Sequence, residues 1–413
     1  MATDNQLAFF ARANSRDDRR LFGIRQADRL AHLYAIGKTG TGKSTLLETL
    51  MRTDLYSGNG FALLDPHGDL AEKIRSAVPP ERKSDLVYFN VPDTSRVLGF
   101  NPLAPAAPET RPLIASELLH AFKKIWADSW GPRMEHILRN ALLTLLDQPE
   151  ATLADILRLF NEPGFRHVAV GRVTSSAVRD FWVNEYEQYF WRLRAEAIAP
   201  IQNKVGAFLA HPILNRILTQ PRSSFDLRAI MDEGRILIVN LAKGQLGEDV
   251  ASLLGALLVS HIGSAGLSRA NRPEATRRDF FLYLDEFHAF TTQSLAGMLS
   301  ELRKYRVGLV LAHQYLAQLD PMILEAILGN AGTVICFRVG PTDAEILGRE
   351  FHPVFSETDL TNLPNHAIYL RLMIDGAVSV PFSAETATAG DLQHETFSGE
   401  MRNFGIDTLL KKP

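Results

Sequence analysis

The sequence lacks a second cysteine. Cys336 is alone in 413 residues, so neither a disulfide framework nor a cysteine-based zinc site can form within the chain, and a reducing compartment fits. An excess of either charge is missing too: 44 Lys and Arg stand against 47 Asp and Glu, a formal net charge of −3. That gives no support to a broad nucleic-acid-coating surface, although a few Lys or Arg on loops remain available and would be multiplied by symmetry in an oligomer. The first twenty residues, MATDNQLAFFARANSRDDRR, contain no apolar run of the kind a signal peptide carries. The longest apolar stretch, 250–267, is broken by Ser252, Ser260, His261 and Ser264. It reads as a buried helix covering a sheet, so the expected location is cytoplasmic, with no membrane anchor in this chain. Internal repeats and low-complexity tracts are absent.

What is present is the composition of a folded globular protein, 46% hydrophobic and 22% charged; its length exceeds one ordinary core of about 100 to 200 residues. Short β-rich runs at 33–36, 61–65, 86–90, 236–241, 280–284, 308–312 and 334–339 alternate with helical segments. That alternation predicts an α/β fold with a mostly parallel central sheet covered by helices on both faces. Asp375-Gly376 lies between apolar runs 367–373 and 377–382, a turn signal that predicts a closing antiparallel pair.

Between Asn101 and about Pro221 the strand runs stop and helical periodicity takes over, opening on NPLAPAAPETRP and closing on TQPRSS. The expected organisation is an N-terminal segment (1–32), a sheet domain in two pieces (33–104 and 222–383), an all-helical insertion domain (105–221) and a C-terminal tail (384–413). All four tryptophans (Trp126, Trp130, Trp182, Trp191) fall in the insertion. Aromatics at that spacing are expected in its core, with a base-stacking surface as the alternative.

The decisive segment is Gly37-Lys38-Thr39-Gly40-Thr41-Gly42-Lys43-Ser44, between the apolar run LYAI and the helical pattern STLLETLM. It matches G-x-x-x-x-G-K-[ST], a loop whose backbone N–H groups wrap phosphates at a helix N-terminus. Its four fixed positions would arise by chance in a chain this long on the order of 1% of the time. Gly37, Thr39, Gly40, Thr41, Gly42, Lys43, Ser44 and Thr45 are therefore the expected nucleotide-binding residues. Lys43 would neutralise the β- and γ-phosphates of ATP, and the Ser44 hydroxyl would hold Mg²⁺.

The run FFLYL ends in Asp285-Glu286; Asp285 is the expected second Mg²⁺ ligand and Glu286 the residue that polarises the attacking water. The next run, GLVLAHQ, ends in Gln314, where an amide could read the γ-phosphate and orient that water. Upstream, ELRKYR places Arg303, Lys304 and Arg306 together, and one of them could reach a neighbouring subunit's nucleotide. After the run ending at Asp65, the turn Pro66-His67-Gly68-Asp69 has no second His or Cys at ligand spacing and reads as structural.

In the order GKTGTGKS, LLDPHGDL, LYLDEFHAF and LAHQ, these motifs resemble the HerA/FtsK superfamily of DNA-pumping ATPases, and within it the type IV coupling proteins of conjugation (TraG/TraD-like). The likeness runs from about Leu21 to Phe382. It implies a RecA-like P-loop NTPase core and a site built from Lys43, Ser44, Asp285, Glu286 and Gln314. The trans-acting arginine is best matched by Arg303, with Arg338 as second choice. It also implies a hexameric ring that passes DNA and works with a relaxosome, secretion-channel or nuclease partner. Coupling proteins usually carry an N-terminal transmembrane anchor that is not found here, which shifts the expectation toward a soluble motor. The expected function is an ATP-driven DNA translocase. The alternatives are a regulatory NTPase scaffold for a partner effector and a protein-secretion ATPase. For DNA contact, the Lys243-Gly244-Gln245 turn is the candidate.

Overall fold

The computed structural model describes residues 6–14, 19–104, 107–127 and 130–392. Most of the expected C-terminal tail, 393–413, lies outside them. The strands are β1 (Leu7–Ala13), β2 (Leu21–Arg25), β3 (Leu33–Ile36), β4 (Gly60–Asp65), β5 (Leu86–Asn90), β6 (Ile236–Asn240), β7 (Phe280–Leu284), β8 (Val307–His313), β9 (Thr333–Cys336), β10 (Ala367–Arg371), β11 (Met373–Ile374), β12 (Ala377–Val378) and β13 (Phe382–Thr386). One eleven-stranded sheet runs in the order β2-β1-β13-β10-β9-β3-β8-β7-β4-β6-β5, and β11 pairs separately with β12. From β9 to β5 every pairing is parallel, whereas β10, β13, β1 and β2 add on antiparallel. The fold is the expected mixed α/β one. Within the N-terminal segment, β1 and β2 pair antiparallel and extend the sheet at one edge.

The central strands are buried on both faces, which is why they read as unbroken apolar runs. Alternate residues serve opposite cores. Tyr34, Ile36, Ala62 and Leu64 face one, and Leu33, Ala35, Phe61 and Leu63 face the other. The second face is covered by the helices Lys43–Ser57 and Asp69–Ala77. The first packs against the 21-residue helix Glu248–Ser268 and, in one continuous core, the helices between β5 and β6. Glu248–Asn271 is long and apolar enough to cross a membrane, but 72% of its apolar window is buried inside the protein.

Among the tryptophans, Trp126 and Trp182 are buried, Trp130 is partly so, and Trp191 is 64% exposed beside an exposed Phe190. Helical periodicity alone could not separate that last one from the core. At the N-terminal edge of β7, Arg277 donates to the carbonyls of Arg269, Arg272 and Lys304, so this arginine-rich loop ties neighbouring loops together.

One carboxylate is buried where the helix Arg111–Ile125 crosses Glu248–Ser268. Glu117 accepts from Ser264 Oγ at 2.7 Å, and burial pushes it from its ordinary 4.5 up to about 7, against the smaller opposing pull of that hydrogen bond. A raised folded-state value means that its contribution is complete below pH 4.5 and is lost as pH rises toward 7. Glu117→Gln is uncharged at every pH and can still accept from Ser264. The variant is expected to outlast the wild type in denaturant at pH 8, by up to about 3 kcal/mol, and to match it near pH 4.5. Equal unfolding midpoints at pH 8 would show that Glu117 is ionised there without penalty.

Candidate active site

Parallel pairing delivers the C-terminal ends of β3, β8, β7 and β4 to one edge of the sheet. Ile36 pairs with His313, Leu311 with Leu284, and Leu284 with Leu64. The residues that follow these four strands therefore converge, as ligand-binding residues do in open parallel sheets. They are the loop 37–44, Gln314, Asp285-Glu286 and the turn after Asp65.

The phosphate-binding loop is shaped by what its glycines avoid. A Cβ on Gly37 would stand 2.4 Å from Phe337 Cβ, and Gly42, at φ +121°, would bring one within 2.9 Å of His366 Nδ1. Lys38 N–H donates to the Arg338 carbonyl and His366 N–H to that of Thr41, which pins the loop to the chain after β9. Thr41 Oγ1 donates to the Lys38 carbonyl at 2.7 Å. Lys43 is buried, and its ammonium points back into the loop, donating to the carbonyls of Gly37 at 2.6 Å and Lys38 at 3.2 Å. Thr39, Gly40 and Ser44 are exposed, and Thr45 is half-buried.

Asp65, Asp285 and Glu286 are all buried beside this loop. Asp65 uses both oxygens on backbone N–H groups, those of His67 at 2.8 Å and Ala71 at 2.9 Å, so it holds the DPHGD turn. Burial first, then the charges of Asp65 and Glu286, push Asp285 up to about 7, with Lys43 opposing. Burial also lowers Lys43, against the pull of Glu286 and Asp285. The edge thus carries three buried carboxylates against one buried ammonium, an arrangement that a divalent cation would relieve. Glu286 sits in the left-handed region (φ +47°). Its Oε1 accepts from Gln314 Nε2 at 2.9 Å, while its Oε2 is buried with no hydrogen-bond partner. That orphaned oxygen and the exposed Ser44 hydroxyl fit a Mg²⁺–nucleotide complex with water beside it.

Two expected residues lie elsewhere. Arg303 is exposed in the 3₁₀ turn Leu302–Tyr305 before β8. At about 3.3 Å per residue the length of β8 puts it roughly 20 Å or more from Gln314, so it cannot reach the site of the same chain. Lys243 opens the short helix Lys243–Leu246 after β6, on the site's edge of the sheet, and is half-buried. Arg338 is close to the loop, but its guanidinium is engaged by the Leu363 carbonyl at 3.1 Å and Asn365 Oδ1 at 2.9 Å.

Sequence reasoning missed a polar shell behind Glu286. His288 Nδ1 lies 3.5 Å from Glu286 Oε2, and its Nε2 is 3.1 Å from Gln318 Nε2. His313 Nε2 meets Tyr34 Oη at 2.6 Å. The HAF after Asp285-Glu286 was the available signal for His288. Gln318 offered none.

The family profile for the type IV secretion-system coupling protein DNA-binding domain matches residues 23–349. The chain belongs to that family. No curated protein sequence matches it. Among solved structures, the bacterial conjugative coupling protein TrwBΔN70 superposes with a TM-score of 0.63 at 17% identity, over 89% of this chain and 86% of that one. TrwB in complex with ADP and Mg²⁺ gives 0.63 at 17% identity, over 89% and 87%. VirB4 of Thermoanaerobacter pseudethanolicus gives 0.62 at 14% identity, over 94% and 99%. At these identities the likeness establishes the fold, the RecA-like P-loop architecture.

Proposed function

We propose that this coupling-protein family member is a Mg²⁺-dependent ATPase that moves DNA as a hexameric ring of the HerA/FtsK type. The observation that carries the reading is the assembly of Lys43, Asp285, Glu286 and Gln314 on one edge of the sheet, with Glu286 hydrogen-bonded to Gln314 and one oxygen left open. The family's DNA-binding description and the ADP and Mg²⁺ bound by TrwB support it.

In this reading the N–H groups of 37–44 wrap the phosphates, and Lys43 exchanges the Gly37 and Lys38 carbonyls for phosphate oxygens. Ser44 and Asp285 hold Mg²⁺, which, when bound, neutralises charge on those oxygens. Glu286 Oε2 takes the proton of the attacking water, while Gln314 fixes the carboxylate through Oε1 and reads the γ-phosphate. The helices between β5 and β6 form the insertion domain, and Lys243 contacts DNA.

Turnover of ATP should rise when single-stranded or duplex DNA is added. Turnover indifferent to both would favour a scaffold or a protein-secretion ATPase.

Arg303, too far from its own site, acts across a subunit boundary in this reading, where its planar fork stabilises the transferring phosphoryl group. Mixing two inactive variants, Arg303→Ala and Lys43→Ala, should restore part of the activity, because some interfaces then pair an intact site with an intact finger. A mixture as inactive as its parts would remove Arg303 from that role.

A further inference from the structure

The helix Arg111–Ile125 descends onto the loop behind Glu286 and leaves a cavity of about 270 Å³, lined on one side by His120, Lys123 and Lys124 and on the other by His288 and Gln318. At roughly 30 Å³ per water, that is room for a phosphate group with several waters. None of the residues 37–44 lines it, so it is separate from the nucleotide loop.

Its lining is mostly basic. Lys124 Nζ donates to the His288 carbonyl at 2.6 Å. Burial, with no compensating carboxylate, pulls that ammonium down to about 7. The Nδ1 atoms of both His120 and His288 are buried without a hydrogen-bond partner. Lys123 is exposed at the mouth. Asp320 also lines the cavity, but its carboxylate caps the following helix by accepting from Met322 N–H at 2.9 Å. After burial and the opposing charge of Glu286, Lys124 and Lys243 hold His288 down, with Glu248 opposing them, so the charge of Lys243 after β6 is felt at the same place.

We propose that this cavity binds a phosphate group of a polynucleotide backbone, through Lys124, His120 and His288. A phosphate presents acceptor oxygens and no donor, which suits a cavity offering the remaining N–H groups of the Lys124 ammonium and two histidine rings whose Nδ1 atoms make no hydrogen bond. A polymer is favoured over a free ion because Lys123 at the mouth, and Lys243, close enough for its charge to act on His288, extend positive charge beyond the cavity, where successive phosphates would lie. Through His288 the cavity also adjoins Glu286, so a phosphate that draws Lys124 off the His288 carbonyl acts directly behind the residue assigned to the water. The polynucleotide source rests on the DNA reading above; the phosphate chemistry does not.

The test is amine labelling of the full chain, read residue by residue by mass spectrometry, with excess ADP and Mg²⁺ keeping the nucleotide loop filled. Exposed Lys73, on the helix Asp69–Ala77, serves as internal reference. A DNA oligonucleotide should lower labelling of Lys124 several-fold and leave Lys73 unchanged. Protection by inorganic pyrophosphate but not by the oligonucleotide keeps the phosphate site and overturns its polynucleotide source. Labelling unchanged by either probe overturns the site. Fluorescence anisotropy on the same oligonucleotide separates the two claims: bound DNA that leaves Lys124 reactive refutes the polynucleotide source at this site and spares the DNA reading, and no bound DNA refutes the DNA reading.

Discussion

Lys43→Ala is expected to abolish nucleotide binding, with affinity falling by at least about a hundredfold, since charge-assisted contacts in a desolvated site are each worth roughly 2 to 3 kcal/mol. Lys43 is buried and bonded to two loop carbonyls, so it is already folded back to where phosphates would lie. Removing it takes away the one ammonium facing Asp285 and Glu286. The fold should survive, because its partners are carbonyls of a loop flanked by exposed Lys38, Thr39 and Gly40, which water can serve. Calorimetric titration with ATP, beside a thermal melt, separates the two effects. Unchanged ATP affinity in a folded variant would remove the phosphate role from Lys43.

Glu286→Gln should show the opposite pattern, binding ATP while hydrolysing it at least about a hundredfold more slowly, the usual loss when a positioned base is removed. The amide is isosteric, and its carbonyl oxygen can still accept from Gln314 Nε2. The loss is confined to the second oxygen, the one left without a partner. Asp285, Ser44 and Lys43 are untouched, so affinity should hold. Single-turnover hydrolysis beside equilibrium binding makes the comparison. Turnover near the wild-type rate would place the base elsewhere.

Both variants concern residues that were legible in the sequence, and the reason is local. β3, β5 and β7 are apolar runs bounded by residues that end strands, and their expected limits coincide with those observed. Two of the motifs follow directly at the C-terminal ends of β3 and β7. Elements whose identity depends on distant partners were harder. The run from 334 was expected to continue to 339, but the strand stops at Cys336. Past it, Phe337 N–H still donates to the Ile36 carbonyl, while the Arg338 carbonyl receives Lys38 N–H and so backs the phosphate loop. β13 (FSAET) is half polar, and β1 and β2 are separated by a charged stretch, so their pairing is fixed by β10 and by each other rather than by an apolar signal. Lys124 meeting His288 spans 164 residues, and no spacing rule connects them.

The account's central claim, that ATP turnover here is coupled to movement along DNA, is tested most directly by measuring turnover on DNA of increasing length at equal nucleotide concentration. A ring that moves along its track should show a rate that climbs with length and then saturates, since short tracks spend turnovers on rebinding; Glu286→Gln should stay flat. A wild-type rate independent of length, or of DNA altogether, would contradict translocation and leave a site that binds and hydrolyses ATP for another purpose.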